Sequence, residues 1–277
     1  MINKKNLKYV LLILSFILII VLLILIFTLL DKFISPKSDI KVTDEVITNK
    51  YDTNDIDKIN FVFKNASVNI DSTSEENIII TQETIEKDFY MKVKNKSGVL
   101  TVQERNKFFN NKKRKYTILI PRSYEGEVYI KNGFGNLYVN DINGKLGIEN
   151  NAGSLTIFNY YGDDIYIKDV SGNIYLDEIN GKSEINTTIG NISIRSINGY
   201  TNLDTLTGDI NISRFEVTSP SGIENVSGDI NINISSESKC KLMTSNETGE
   251  TNISPIKCND EENILNIKNV TGDININ

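Results

Sequence analysis

Apolar and polar residues alternate along most of the chain after residue 60. The alternation is clear in Phe61-Val-Phe63, in Val68-Asn-Ile70 and in Tyr116-Thr-Ile-Leu-Ile-Pro121, and polar residues separate such runs. Side chains of a β-strand point alternately to its two sides, so this period indicates half-buried strands, whereas a helix would repeat every 3.6 residues. We therefore predict an all-β domain.

One phrase returns in the second half of the chain: a Gly, then a small polar residue, then alternating apolar residues. Its strong copies open at Gly135, Gly153, Gly172, Gly190, Gly208, Gly228 and Gly272. Weaker copies open about midway between the earlier ones, for example at Gly144 and Gly181. The unit is therefore about 18 residues long and contains two unequal strands. Fixed-period repeats are the signature of stacked supersecondary units, so we predict a parallel β-solenoid with two strands per coil.

Within each coil, the strong strand has two faces. Residues two, four and seven positions after the Gly are apolar, as in Ile174, Leu176 and Ile179, and we predict that they point inward. The residue between the first two points outward in this scheme. The predicted outward ladder is Tyr138, Thr156, Tyr175, Ser193, Asn211, Asn231, Asn252 and Asn275. Stacked amides hydrogen-bond along such an axis, which favours a structural role, and a ligand-binding face is the alternative.

The stretch Val10–Leu30 is 21 residues long and contains no charged residue. It is long enough to cross a bilayer as a helix, and it exceeds the roughly 7 to 15 apolar residues of a cleaved signal. Lys4, Lys5 and Lys8 precede it, so the positive-inside rule places the N-terminus in the cytoplasm. We predict a single-pass plasma-membrane protein, in contact with lipid through this helix, whose C-terminal domain is extracytoplasmic.

The same patterns divide the chain into segments. A polar stretch with Pro36 follows the apolar run and is typical of a stalk. The short strands that come next form either a cap or wide coils of the same solenoid. The predicted segments are a cytoplasmic N-terminus (1–9), a transmembrane helix (10–30), an extracytoplasmic stalk (31–56), N-terminal β-strands (57–130) and solenoid repeats (131–277).

Composition argues against catalysis and against nucleic acid as a partner. The chain has no His among its 277 residues, which removes Ser/His/Asp and Cys/His constellations and imidazole metal ligands. A carboxylate enzyme would need clustered charges at outward positions, whereas Glu184 and Arg195 stand isolated in the sequence. The formal net charge of −6 disfavours phosphate backbones. We predict a protein that is not an enzyme and that uses no cofactor.

Cys240 and Cys258 are the only cysteines and are about one coil apart. Residues one coil apart stack about 4.8 Å from each other, which is within disulfide range, so we predict a disulfide in an oxidising compartment.

Two charged patterns have a plain structural explanation and a functional alternative. The Asp residues at the coil corners, Asp163, Asp164, Asp209, Asp229 and Asp273, suit turns, although calcium β-rolls also have nine-residue repeats. The run from Lys112 to Lys115 suits a solvated hairpin loop, and a contact with an anionic polymer or lipid headgroup is the alternative.

The Gly-Asp-Ile-x-Ile repeats, preceded by Ile118-Leu-Ile-Pro121 and by Ser67-Val-Asn-Ile70, resemble the bacterial putative-adhesin family of β-strand repeat domains, a domain of unknown function. The resemblance covers about Ile56 to Asn277 and implies a β-solenoid ectodomain on the bacterial cell envelope, often membrane-anchored. It supplies no catalytic residues. The function expected from it is a surface-displayed binding or structural module whose partner is an envelope polymer or a surface or membrane protein.

Two other functions compete with this one. An accessory or sensor protein of an envelope-stress or signalling system is the first, and a polysaccharide-acting enzyme is a weaker second. A further expectation concerns the C-terminus, because the chain ends on the repeat phrase at Asn277. An uncovered terminal strand invites pairing, so an earlier part of the chain or a partner should cover it.

Overall fold

The computed structural model describes residues 45–84, 91–105, 114–256, 258 and 263–277. The predicted stalk up to residue 44 and the apolar stretch Val10–Leu30 lie outside this part. Within the described ranges, no helix has the length and hydropathy that crossing a membrane requires. The domain is built of β-strands, as the alternation predicted.

The strands follow one another along the chain with short connections. The first seven are β1 (Glu45–Asp52), β2 (Lys58–Thr73), β3 (Asn77–Thr84), β4 (Met91–Lys96), β5 (Val99–Glu104), β6 (Arg114–Pro121) and β7 (Glu127–Phe134). The next eight are β8 (Leu137–Asn140), β9 (Leu146–Ala152), β10 (Leu155–Tyr160), β11 (Asp164–Ser171), β12 (Ile174–Asn180), β13 (Lys182–Ile189), β14 (Ile192–Ile194) and β15 (Ile197–Asn198). The last eight are β16 (Thr201–Thr207), β17 (Ile210–Glu216), β18 (Ser221–Ser227), β19 (Ile230–Ile234), β20 (Lys241–Thr248), β21 (Thr251–Ile253), β22 (Ile264–Thr271) and β23 (Ile274–Ile276).

Successive coils stack in parallel, and each contributes one strand to each of two faces. Face A contains β6, the second half of β2, β8, β10, β12, β14 with β15, β17, β19, β23 and β21. Face B contains β5, the first half of β2, β7, β9, β11, β13, β16, β18, β22 and β20. This arrangement is a β-solenoid with two strands per coil.

The apolar core lies between the two faces. Ile174, Leu176 and Ile179 are at most 1% exposed, and the equivalent residues of the neighbouring coils are equally buried. The prediction that the second, fourth and seventh residues after the Gly point inward is confirmed. Burial of each such side chain contributes about 1.5 to 3 kcal/mol, so the stacked rungs provide most of the driving force for folding.

Glycine occupies one corner of each coil for a steric reason. Gly190 and Gly208 have φ angles of +146° and +142°, and each stacks on the backbone of the Gly one coil before it. A side chain is strained at such φ, and a Cβ would also collide with the carbonyl oxygen of the stacked glycine. The repeated Gly therefore occupies a corner that leaves no room for a side chain.

A buried polar column follows the same corner on face B. Asn132 donates to Oδ1 of Asn150 over 2.8 Å, and Asn150 donates to Asp169 over 2.5 Å. Asn132 and Asn150 also donate to the carbonyl oxygens of Gly135 and Gly153, each over 2.8 Å. These amides satisfy backbone groups that the turn would leave unpaired. Burial raises the pKa of Asp169 above its usual value, against the opposing effect of hydrogen bonds from Asn150 and Thr187.

The N-terminal end does not stack in chain order. Strand β2 bends across both faces and lies between the coil of β5 and β6 and the coil of β7 and β8. Strands β1, β3 and β4 pair antiparallel at the end of the stack. The region 57–130 therefore contributes both coils and cap strands.

The predicted stalk, 31–56, is wrong for its last part. Residues Glu45–Asp52 form β1, which pairs with β3 over the whole length of both strands. The segment is polar because one side faces solvent, while Tyr51 packs against the core. Because this segment contains few apolar residues, the sequence pattern did not identify it as a strand of the cap.

The C-terminal end is also interleaved. Strands β22 and β23, the last in the sequence, lie between β18 and β19 on one side and β20 and β21 on the other. The expectation that an earlier part of the chain covers the terminal phrase is confirmed. The outermost coil is 241–253, so the predicted ladder order Asn231, Asn252, Asn275 is corrected to Asn231, Asn275, Asn252.

Candidate binding surface

The predicted outward ladder forms one column on face A. Strand register places Tyr138 beside Thr156, Thr156 beside Tyr175, and Tyr175 beside Ser193. The column continues through the four asparagines to Asn252. At the other end it extends to Asn69, Thr117, Thr81 and Thr48, which the sequence analysis did not include. Side chains along this column share one surface of the rod.

The asparagine part of the column is internally hydrogen-bonded. Asn231 donates to Oδ1 of Asn211 over 3.0 Å, Asn275 to Asn231 over 2.9 Å, and Asn252 to Asn275 over 3.1 Å. Each interior amide uses its donor and its acceptor on its neighbours, which suits the structural interpretation of these residues.

The other part of the column carries an exposed aromatic cluster, which we define as Tyr138, Phe158 and Tyr175. The ring of Phe158 lies 5.4 Å from that of Tyr138 and 5.5 Å from that of Tyr175, with tilts of 40° and 51°. Tyr138 and Tyr175 are 38% and 37% exposed. Phe158 comes from the adjacent outward position, in register with Asn140 and Asp177. Tilted rings at these distances attract one another, so the cluster is a fixed apolar patch on a polar face.

A polar rim borders the aromatic cluster, and we define it as Asp177, Glu178, Arg195 and Tyr161. Arg195 pairs through Nε with Asp177 and through a terminal nitrogen with Oε1 of Glu178, 2.9 Å away. Tyr161 donates its hydroxyl to Oε2 of Glu178 over 3.0 Å. The hydrogen bond from Arg195, and then that from Tyr161, lowers the pKa of Glu178. The same contact with Glu178 raises the pKa of Tyr161.

The description of Glu184 and Arg195 as isolated is wrong. Arg195 follows Asp177 by about one coil, so stacking brings the two into an ion pair that is invisible in the linear sequence. Glu184 pairs with Lys182, 2.8 Å away on the same strand of face B. Charged residues one coil apart are neighbours in a solenoid, and that spacing was the signal to search for.

Backbone geometry fixes the edge of the polar rim. Asn159 and Glu178 have φ angles of +51° and +54°, and Asp141 in the preceding coil has +53°. The left-handed conformation is uncommon outside glycine and turns the chain sharply here. The Asn159 amide donates to Oδ1 of Asn140 over 3.0 Å, which holds this bend beside Phe158. The rim is therefore built on constrained backbone.

The acidic corner residues satisfy the stacked backbone. Oδ1 of Asp209 accepts the N–H of Asp229 over 2.9 Å, and Oδ1 of Asp229 accepts the N–H of Asp273 over 2.8 Å. Asp163 lies in the turn between β10 and β11, and Asp164 begins β11, where it pairs with Lys145. The bonds of Asp209 and Asp229 join stacked coils, because the partners are 20 and 44 residues apart in the sequence, so these Asp residues support the corners through contacts between coils instead of through the local turn bonds that the sequence predicted.

Part of the basic run lies outside the described residues. Arg114 and Lys115 are described, and they begin β6 instead of lying in a loop. Arg114 pairs with the buried Glu104 over 2.7 Å, and Lys115 pairs with Glu83 over 2.7 Å. Carboxylates of the domain thus balance these two charges.

Cys240 and Cys258 are joined in the structure, with their Cα atoms 4.6 Å apart. They are not in coil register, because Lys241 stacks on Ile264. Cys258 lies in the connection between β21 and β22. The bond ties the start of the outermost coil to the segment that leads back inside it.

Face B offers a matched surface without the cluster. Tyr166, one of the outward tyrosines of this face, is 38% exposed, as Tyr138 is, and is in register with Gly147 and Glu184. Ion pairs such as Lys131 with Glu149, at 2.8 Å, cover neighbouring positions.

Comparisons with known proteins agree with this architecture. The family model described as Toastrack DUF4097 matches residues 56–277. A crystal structure of a putative adhesin from Parabacteroides distasonis is 13% identical, covers 85% of this chain and 99% of its own, and has a TM-score of 0.52. At that identity the likeness concerns the fold alone.

Two further solved structures are similar to this chain. A putative adhesin from Bacteroides fragilis is 14% identical, with 86% of this chain and 100% of that chain covered and a TM-score of 0.49. A putative lipid binding protein from Parabacteroides distasonis is 16% identical, with 83% and 96% covered and a TM-score of 0.49. No curated protein matches the sequence.

Proposed function

Since the chain belongs to the Toastrack DUF4097 family, we propose that it is a membrane-anchored, surface-displayed binding module without catalytic activity. The observation that carries the proposal is the aromatic cluster. Exposed aromatic side chains held together on an otherwise polar face mark recognition surfaces, because aromatic residues and Arg supply most of the binding energy at interfaces.

The anchor in this proposal is the apolar stretch Val10–Leu30. Its length suits a bilayer, and Lys4, Lys5 and Lys8 favour a cytoplasmic N-terminus. The domain is then outside the cell, tethered through 31–44, with face A available to partners in the envelope.

The polar rim supports binding more than catalysis. A carboxylate pair that cleaves glycosidic bonds needs a general acid with a raised pKa. The pKa of Glu178 is lowered instead, and Asp177 is held by Arg195. The ion pairs therefore hold the charged groups of the rim in place, which suits a surface that orients a bound partner.

Display is tested on intact cells that produce the full-length chain. Added protease should remove the C-terminal domain and spare the residues before Val10. If the domain is protected until the cells are lysed, the proposed orientation is wrong.

Binding is tested by reconstituting the purified full-length chain in lipid nanodiscs, which occupy the proposed anchor, and sedimenting it with isolated cell envelopes. The wild type should co-sediment, and the double variant Tyr138→Ala/Tyr175→Ala should stay in the supernatant. Tyr166→Ala, equally exposed on face B, is the control and should behave as wild type. Equal sedimentation of all three proteins would show that the aromatic cluster is not the binding surface.

A further inference from the structure

We infer that the aromatic cluster and the polar rim together form a site for an uncharged glycan chain. This inference rests on the proposed binding function and specifies its ligand. The inference is based on the position of the two groups relative to each other. The three rings lie about one strand spacing apart, and Phe158 is in register with Asp177 of the hydrogen-bonded polar rim.

The aromatic cluster supplies the apolar half of the site. A pyranose ring has one face of C–H bonds, and such a face packs on an aromatic ring as other apolar groups do. Tyr138, Phe158 and Tyr175 come from three successive coils, so their rings follow the axis of the rod. A row of rings suits consecutive sugars of a chain better than one terminal sugar.

The polar rim supplies the other half of the site. Sugar hydroxyls both donate and accept hydrogen bonds, and the rim contains both kinds of partner. Arg195 has five N–H donors on a side chain that is 52% exposed, while Glu178 presents acceptor oxygens at 42% exposure. Their mutual ion pair fixes both groups before a ligand arrives, which reduces the entropy lost on binding.

The charges of the rim select among glycans. Two carboxylates and one guanidinium leave a negative balance next to the rings. The carboxylates of a uronic-acid chain, or the phosphates of a phosphate-bearing polymer, would lie close to the carboxylates of Asp177 and Glu178. These like charges would repel one another and weaken binding. Neutral sugars, including N-acetylated amino sugars, avoid that cost.

The protein offers a built-in way to measure occupancy. It contains no Trp, so Tyr175→Trp introduces a single indole and keeps an aromatic ring in the cluster. Cellohexaose and N-acetylchitohexaose are the uncharged probes, and polygalacturonate is the acidic one. Titration of the full-length variant in detergent should shift the indole emission with the uncharged probes alone.

Two variants separate the halves of the site. Tyr138→Ala in the Tyr175→Trp background should weaken binding about tenfold or more, a typical effect of truncating an aromatic anchor. Arg195→Gln should weaken it as well, because the variant loses donors of the polar rim. Tyr166→Ala should leave the titration unchanged. Thermal unfolding of each variant must match the parent, which excludes loss of fold as the cause.

The outcomes also distinguish this inference from the proposed function. An excess of cellohexaose or N-acetylchitohexaose should release the chain from envelopes, and protease-treated envelopes should still bind it. The reverse result would assign the cluster to a protein partner and overturn the glycan site while leaving a binding module. Loss of envelope binding from Tyr138→Ala/Tyr175→Ala without any response to the uncharged probes would also overturn it. If no envelope preparation binds the chain, the binding function itself fails.

Discussion

Asn275 donates its side-chain amide to Oδ1 of Asn231, 2.9 Å away, although Asn252 stands between them in the sequence. The coil formed by β22 and β23 comes last in the sequence, but it stacks inside the coil of β20 and β21 that precedes it. Both backbone edges of β23 are thereby paired, whereas β21 pairs with β23 alone among the described strands.

The interleaved order predicts unequal effects for two asparagines. Asn275→Ala removes two amide hydrogen bonds and should lower the free energy of unfolding by about 2 kcal/mol, whereas Asn252→Ala removes one and should cost about 1 kcal/mol. Urea unfolding measures both. A stack in chain order would put Asn252 inside the ladder, so a larger cost for Asn252→Ala than for Asn275→Ala would contradict the structure.

The glycine corner predicts a strong position effect. Gly208→Ala should lower the free energy of unfolding by about 2 kcal/mol or more, because the residue has φ +142° and no room for a Cβ. Gly222→Ala is the control on face B. An added Cβ there meets only the side chain of Asn202, so the effect should be small. Similar unfolding midpoints for both variants would show that the corner is not tight.

The buried column predicts a pH-dependent stability. The pKa of Asp169 is raised in the folded chain, so the folded state holds its proton more tightly than the unfolded state does. Stability from this group is therefore present below the ordinary Asp pKa and is lost as the pH rises through the raised value.

Asp169→Asn should remove the loss of stability that accompanies the rise in pH. An amide at this position can accept from Asn150 and donate to the carbonyl oxygen of Gly172, as Asn150 does to Gly153. We expect about 1 kcal/mol of added stability at pH 7 and little difference from wild type at pH 3. Unfolding curves across this range are the measurement, and equal gains at both pH values would exclude titration of Asp169 as the cause.

The cysteine pair predicts a redox-dependent stability. Protein isolated from cells should yield a peptide that links Cys240 to Cys258 after non-reducing digestion. Reduction should cost about 3 kcal/mol, as expected for a loop of 18 residues. The outermost coil should be the region that exchanges amide hydrogens faster afterwards. Two free thiols in protein isolated from cells would contradict this prediction and would argue against an oxidising compartment for the domain.

Local pattern was enough to predict part of the molecule. Alternation in Ile174, Leu176 and Ile179 identified the strands and their inward faces, because side-chain direction depends only on position along a strand. The glycine period likewise fixed the coil length. The membrane anchor over Val10–Leu30 remains a prediction, since it lies outside the described residues.

The tertiary structure alone decided how the coils are ordered and which side chains meet. Rungs such as Ile230-Asn-Ile232 and Ile274-Asn-Ile276 are interchangeable in shape, so sequence carries no preference for which one stacks next. Phe158 contacts Tyr138, and Arg195 pairs with Asp177, only because the register between coils brings these residues together. Contacts across coils depend on stacking of distant segments, whereas alternation within a strand is a local property of the chain, and this is why the sequence determined the strands and the structure determined the surface.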